Sequence, residues 1–248
     1  MVDTLVLGTS AYGVGVQVPP GAPTNMNNKI ENFLSESEIN TVCAFYDRLP
    51  YSDEYSSSLN RRKLMHYDNP GMPFLKNIFE PKLQELYPGG LVSACTFTDW
   101  HNPVEIHTDG WQPQEDQTRE MGYAVLVPLR LNPSTAKSST IIFDQRSPGA
   151  TVTLKEHTQD EVWNIAEHIS PDDERIEFKS TMPVSVEFCE EHLQHIQDPS
   201  MLRNFSINAV HNWEPGCAIV WDRSYFHTSS SFDKTLKSKL HAIFFITL

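Results

Sequence analysis

Positive charge is scarce in this chain. Only 19 Lys and Arg stand against 32 Asp and Glu, a formal net charge of -13 over 248 residues. A surface of that sign repels phosphate backbones and anionic membranes, which argues against bulk nucleic-acid binding. Long apolar runs are also missing. The longest, residues 242–248, falls far short of the roughly 20 residues that a membrane-spanning helix needs, so no membrane partner is expected. Cysteine is sparse as well. Cys43, Cys95, Cys189 and Cys217 are scattered with no C-x-x-C pair, which excludes a disulfide framework or zinc knuckle and fits reduced thiols in a cytoplasm. No internal repeat or low-complexity tract is present. The remaining composition, 39% hydrophobic, suffices for one substantial core, and a single-domain enzyme is the default expectation. A small molecule is the natural partner for such a chain, and its oligomeric state is not legible.

Residues 1–24, MVDTLVLGTSAYGVGVQVPPGAPT, show no helical or strand period and lack the cationic start and apolar core of a signal peptide. One reading is a disordered tail. A sharper one is that MVDTLVLGT and VQVPPGAP resemble conceptual translation of a leucine transfer-RNA gene, including its encoded CCA. Residues 1–25 are then a mis-annotated extension, Met26 is the natural start, and the source is a bacterial or phage genome.

Residues 26–248 read as one domain: helical support over 26–90, then a β-rich region over 91–248 with an insertion at about 156–203. Ser35 is placed as the N-cap of a helix with Glu38 as its capping-box partner, followed by Ile39, Val42, Phe45 and Leu49 at helical spacing. A second helix is expected over 73–86, stopped by Pro88-Gly89-Gly90. Short β-rich runs follow at 91–97, 123–131, 140–143, 151–154, 205–210, 217–221 and 240–248, the pattern of a barrel or sandwich. Within the insertion, 160–168 and 186–197 are expected to be helical, forming either a lid or a solvated decoration.

Two H-x-D pairs occur, His66-Tyr67-Asp68 and His107-Thr108-Asp109. Residues two apart at a strand end project to one side, so such a pair supplies an imidazole and a carboxylate to one metal. A non-haem Fe(II) site needs one more imidazole. His66 follows Arg61-Arg62-Lys63 and reads as a surface histidine in a basic patch of the helical support. His107 follows a strand and a Pro-containing turn, as at a barrel mouth. The third ligand should come from a late strand, and Pro215-Gly216 followed by an apolar run to Trp221 has that form, with His227 emerging just past it.

In this H-x-D…H arrangement the chain resembles the Fe(II)/2-oxoglutarate-dependent oxygenase superfamily, in its prolyl-hydroxylase-like and phytanoyl-CoA-hydroxylase-like branches, over roughly 91–248 without the insertion. The resemblance implies a mainly β double-stranded β-helix (a cupin-like jelly roll) behind N-terminal helices. It implies Fe(II) held by His107, Asp109 and His227, with 2-oxoglutarate and O2 as co-substrates. It also implies a basic residue on the strand after the distal histidine to pair with the far carboxylate of 2-oxoglutarate. Lys239 is assigned to it, because a lysine entering so apolar a strand is costly to bury without an anion, and Lys237 is the reserve. Ser229 and Thr96 are candidate donors to the same co-substrate. The implied activity is hydroxylation of an unactivated C–H bond of a small molecule, releasing succinate and carbon dioxide. Asp109 disfavours the halogenase variant, whose members lack the carboxylate. Three alternatives stay open: a prolyl-type protein hydroxylase, a non-catalytic cupin-like metal-binding module, and a zinc hydrolase. Trp111, Tyr123, Trp221, Arg223 and Tyr225 either line a pocket or fill the barrel, and His101 and His211 read as structural histidines.

Overall fold

The computed structural model describes residues 28–50, 60–63, 73–110, 122–149, 151–154, 167–177 and 183–248. Residues 1–25, the His66-Tyr67-Asp68 pair and Trp111 lie outside the described residues.

The N-terminal part carries two helices, α1 (Glu36–Arg48) and α2 (Pro73–Leu86), and two short strands, β1 (Asn28–Ile30) and β2 (Asn60–Lys63). Ser35 and Glu38 form the expected capping box: the Ser35 amide donates to Glu38 Oε2 at 2.7 Å and the Glu38 amide to Ser35 Oγ at 3.3 Å. Val42 and Tyr46 of α1, with Leu75, Phe79 and Leu83 of α2, turn inward at helical spacing. Within the expected helical support, Asn60–Lys63 form a strand that pairs with β3.

Two antiparallel sheets follow. The larger has the order β1-β9-β4-β11-β3-β2, with β3 (Leu91–Trp100), β4 (Gly122–Asn132), β9 (Ala218–Asp222) and β11 (Ser238–Thr247) at its centre. The smaller pairs β10 (Tyr225–Ser229), β5 (Ser139–Arg146) and β8 (Ile207–Asn212), and β6 (Val152–Leu154) runs parallel to β7 (Glu167–Ile169) nearby. Strand period two divides the large sheet into two faces. On β11, Leu240, Ala242, Phe244 and Ile246 join Phe97, Val125 and Val127 in a core roofed by α1 and α2. Lys239, His241, Ile243 and Phe245 face a cavity on the other side. Ala124, Leu126, Ile219 and Trp221 meet Ile142 and Tyr225 of the small sheet in an inter-sheet core. This is a double-stranded β-helix, buttressed by helices on its larger sheet.

The insertion differs in part from expectation. Residues 167–169 are strand β7, against the helix expected over 160–168, whose earlier residues lie outside the described ones. The helix expected over 186–197 closes early as α3 (Val186–His192), then turns into a 3-10 segment, Pro199–Leu202. Cys189, Leu193, Met201, Leu202 and Phe205 from this stretch pack on Ile141, Phe143 and Phe226, covering the outer face of the small sheet. Phe205 stands edge-on to Phe143 at 5.4 Å and to Phe226 at 5.3 Å, an arrangement that aromatic quadrupoles favour. Among the described residues, no helix is long and apolar enough to cross a membrane, and all four cysteines are free thiols.

Candidate metal centre and its cavity

The segment around His107 runs as an extra strand along the small sheet. His107 and His227 exchange both backbone hydrogen bonds, at 3.0 and 2.9 Å, and Ile106 O accepts from Leu154 N at 3.0 Å. Directly opposed residues of this kind point their side chains to one face, so the two imidazoles meet with ring centroids 4.3 Å apart. Asp109, two residues on, shares that face. Its amide donates to Arg223 O at 3.0 Å, which fixes its backbone against the turn after β9. β9 ends at Asp222, the chain turns, and His227, expected just past this strand, lies inside β10 of the opposite sheet.

Both imidazole Nδ1 atoms are committed. His107 Nδ1 lies 2.7 Å from Glu105 O and His227 Nδ1 lies 3.1 Å from Tyr225 O. A carbonyl only accepts, so each Nδ1 carries the proton and each Nε2 keeps a free lone pair. Those Nε2 atoms converge on one carboxylate, His107 at 3.7 Å from Asp109 Oδ1 and His227 at 3.2 Å from Oδ2. Asp109 Oδ2 is buried with no hydrogen-bond partner. One ligand atom from each of the three residues lies within 4.8 Å of the others, a group able to hold a metal ion. Burial, reinforced by the nearby His227, pushes the His107 imidazole down to about 4, which keeps it neutral and ready to ligate. The orphaned carboxylate oxygen and the two aimed lone pairs fit a divalent cation of the two-histidine, one-carboxylate kind.

The triad opens on a cavity of about 520 Å³ between the sheets. Lys239 lines the same cavity from β11 and is 1% exposed. Its Nζ donates to Ser138 Oγ at 3.1 Å and sits 4.1 Å from the centroid of the Trp213 ring and 5.3 Å from that of Phe232. No carboxylate pairs with it among the described residues. Burial accordingly pushes its ammonium down to about 7. His195, held by burial at about 4, also feels this cation. Thr140 completes the surroundings: its Oγ1 accepts from Trp213 Nε1 at 2.8 Å, leaving its own O–H to donate into the cavity it lines.

The other candidates separate clearly. Lys237 precedes β11 and is exposed, although it shares sequence parity with Lys239. Ser229 lines the cavity and its Oγ accepts from the Val104 amide at 3.0 Å, while Thr96 lines it from β3. Trp221 and Arg223 are in the cavity wall. Tyr123 is not, being stacked on Tyr87 at 4.6 Å under the helices, and Tyr225 joins the inter-sheet core and carries Arg146 over its ring. His101 faces Asp99 at 3.6 Å, and His211 lies on β8 outside the cavity lining. Sequence reasoning missed Ser138, Thr140, Trp213 and Phe232. They come from three separated stretches with no shared spacing, so only the fold brings them to Lys239.

Arg223 deserves a fuller description. Its Nε donates to Asp109 O at 2.7 Å, its Nη2 to Gly110 O at 3.4 Å, and its guanidinium lies 4.5 Å from the Phe245 ring centroid. Burial lowers its pKa and the Asp109 charge opposes that shift.

No protein-family model matches the chain, and no curated protein matches it in sequence. Solved structures do match in shape. The chain resembles the non-heme alpha ketoglutarate dependent epimerase SnoN from nogalamycin biosynthesis at a TM-score of 0.50 and 11% identity, covering 90% of this chain and 78% of that one. HygX from Streptomyces hygroscopicus, solved with nickel, 2-oxoglutarate and hygromycin B, gives a TM-score of 0.46 and 12% identity over 90% of this chain and 83% of that one. The viral collagen prolyl hydroxylase vCPH from Paramecium Bursaria Chlorella virus-1, solved with 2-oxoglutarate, gives 0.47 and 11% over 90% and 97%. At such identities the likeness to SnoN shows a shared fold.

Proposed function

We propose that this protein is an Fe(II)- and 2-oxoglutarate-dependent dioxygenase that hydroxylates an unactivated C–H bond of a small-molecule substrate. One observation carries the reading: a two-histidine, one-carboxylate cluster and a fully buried ammonium with no acid partner among the described residues line one cavity. His107 Nε2, His227 Nε2 and an oxygen of Asp109 would hold the iron. Bound there with 2-oxoglutarate and O2, the iron would supply the oxidising chemistry: one oxygen atom of O2 ends in succinate as 2-oxoglutarate loses carbon dioxide, and the other in the hydroxyl that replaces the substrate hydrogen.

Every other part is played by the chain. Lys239 receives the distal carboxylate of 2-oxoglutarate, and the anion offsets the cost of burying that cation. Lysine offers a point charge where arginine would offer a fork, so Ser138 and Thr140 supply the directional hydrogen bonds instead. Thr96 and Ser229 line the same space, and Ser229 is the nearer to the metal ligands in sequence. Trp213 and Phe232 keep water from the ammonium, which strengthens its attraction for the anion. The backbone carbonyls of Glu105 and Tyr225 hold the imidazole protons on Nδ1, so the ligand lone pairs are set before any metal arrives. A cavity of about 520 Å³ is within the size of small-molecule sites, about 300–1,000 Å³.

A purely structural metal site has no use for a buried cation in the same cavity. The fold shared with SnoN, an alpha ketoglutarate dependent epimerase, supports the same reading. Anaerobic titration of the protein with Fe(II) and 2-oxoglutarate should produce a weak visible charge-transfer band. Its absence in the wild type, or its persistence in His107→Ala, would overturn the assignment.

A further inference from the structure

The overall charge of -13 would suggest a neutral or cationic substrate, yet the cavity has the opposite character. Among the described residues its lining holds one acid, Asp109, whose oxygens belong to the metal cluster, and two cations, Lys239 and Arg223. If Lys239 is taken by 2-oxoglutarate, the one acid of the described lining near Arg223 is Asp109, whose carboxylate faces the two imidazoles instead. A guanidinium has five N–H donors. Backbone carbonyls of Asp109 and Gly110 take one from Nε and one from Nη2. These bonds and the Phe245 ring beneath it hold the group in one orientation beside the metal ligands. A partly buried cation held rigid in a cavity wall is a preformed receptor for a planar or tetrahedral oxyanion. Beside it the wall is apolar, with Phe245, Ile243 and Ala94.

We propose, resting on the oxygenase reading, that the substrate is an amphiphilic organic anion: its carboxylate or phosphate docks on Arg223 and its carbon skeleton lies along Phe245, Ile243 and Ala94. Arg223 is then a specificity residue that fixes which carbon reaches the metal. The negative exterior does not forbid this, because at physiological salt charges are screened beyond about 8 Å.

The test is calorimetric titration of the protein, loaded anaerobically with Fe(II) and 2-oxoglutarate, with hexanoate, hexyl phosphate and the neutral hexanamide. A charge-assisted pair on a partly buried guanidinium predicts that at least one anion binds roughly 10-fold or more tighter than the amide. A lead for hexanoate identifies carboxylate substrates, and a lead for hexyl phosphate identifies phosphate ones. Arg223→Gln should abolish the preference, and Arg223→Lys, which keeps the charge, should retain part of it. Equal binding of anions and amide by the wild type, or a preference that survives Arg223→Gln, overturns the proposal. So does an equal loss in both variants accompanied by loss of iron affinity, which would reduce Arg223 to a clamp on Asp109. If the wild type fails to load Fe(II) and 2-oxoglutarate, the oxygenase reading falls, while the same titrations on metal-free protein still decide for or against the anion site.

Discussion

Replacing Lys239 by methionine, a chain of similar length without charge, should separate stability from function. The folded protein holds this ammonium at about 7 against an ordinary 10.5, because it is fully buried, with no acid beside it among the described residues. At about 1.4 kcal/mol per pH unit that fall corresponds to roughly 5 kcal/mol against the charged form. The direction follows from proton counting. The folded-state pKa of a base is depressed, so between about pH 7 and 10.5 the unfolded chain binds more protons than the folded one. Stability of the ligand-free wild type should therefore rise with pH across that window, and the penalty should be largest at and below pH 7. Lys239→Met removes the penalty together with the Ser138 hydrogen bond and the contact with the Trp213 ring, worth about 1–2 kcal/mol between them. A net gain of about 2–4 kcal/mol at pH 7 is expected, or a Tm higher by roughly 5–10 °C for a chain of this size. The gain should shrink as pH approaches 10. The same variant should lose measurable 2-oxoglutarate binding while keeping its iron affinity. Paired thermal melts at pH 7 and 10 with calorimetric titration of 2-oxoglutarate check both halves. A variant no more stable than wild type at pH 7, or one that binds 2-oxoglutarate as well, refutes the reasoning.

Two further expectations concern the site's support and the fold's closure. Ser138→Ala removes the hydroxyl that holds Lys239 Nζ, and titration should show 2-oxoglutarate binding about 5–10-fold weaker with iron binding unchanged. Gly216 adopts φ +88, and a Cβ there would meet Leu34 O at 2.8 Å, so Gly216→Ala should destabilise the protein by at least about 2 kcal/mol in urea unfolding, without altering the cavity chemistry.

Local chemistry made much of this protein readable in advance. The capping box at Ser35 and Glu38, the stop at Pro88-Gly89-Gly90 and the period-two strands are all written in neighbouring residues. The observed helices Glu36–Arg48 and Pro73–Leu86 and the strands from Leu91 onward follow them closely. The reading weakened where local preference and tertiary context disagree. Asn60–Lys63 fall within the expected helical support but form an edge strand of the large sheet. Residues 167–169 look polar but pair with β6. The sequence puts His227 just past the strand over 217–221, but it does not show that the chain turns at Arg223 and Ser224 and crosses to the second sheet, where His227 lies within β10.

By itself the sequence determined the helices, the sheet-forming segments and the identity of the groups with metal-binding or anion-binding chemistry, because those depend on side-chain type and near-neighbour spacing. Which of them meet was decided by tertiary structure. The reciprocal hydrogen bonds between His107 and His227 bring together residues 120 positions apart. The start of β11 at Ser238 buries Lys239 and leaves Lys237 in water. The turn after β9 sets Arg223 across the backbone of Asp109. Each of these is a contact between distant segments, fixed by the closure of two sheets around a common cavity, and no short stretch of chain carries that information.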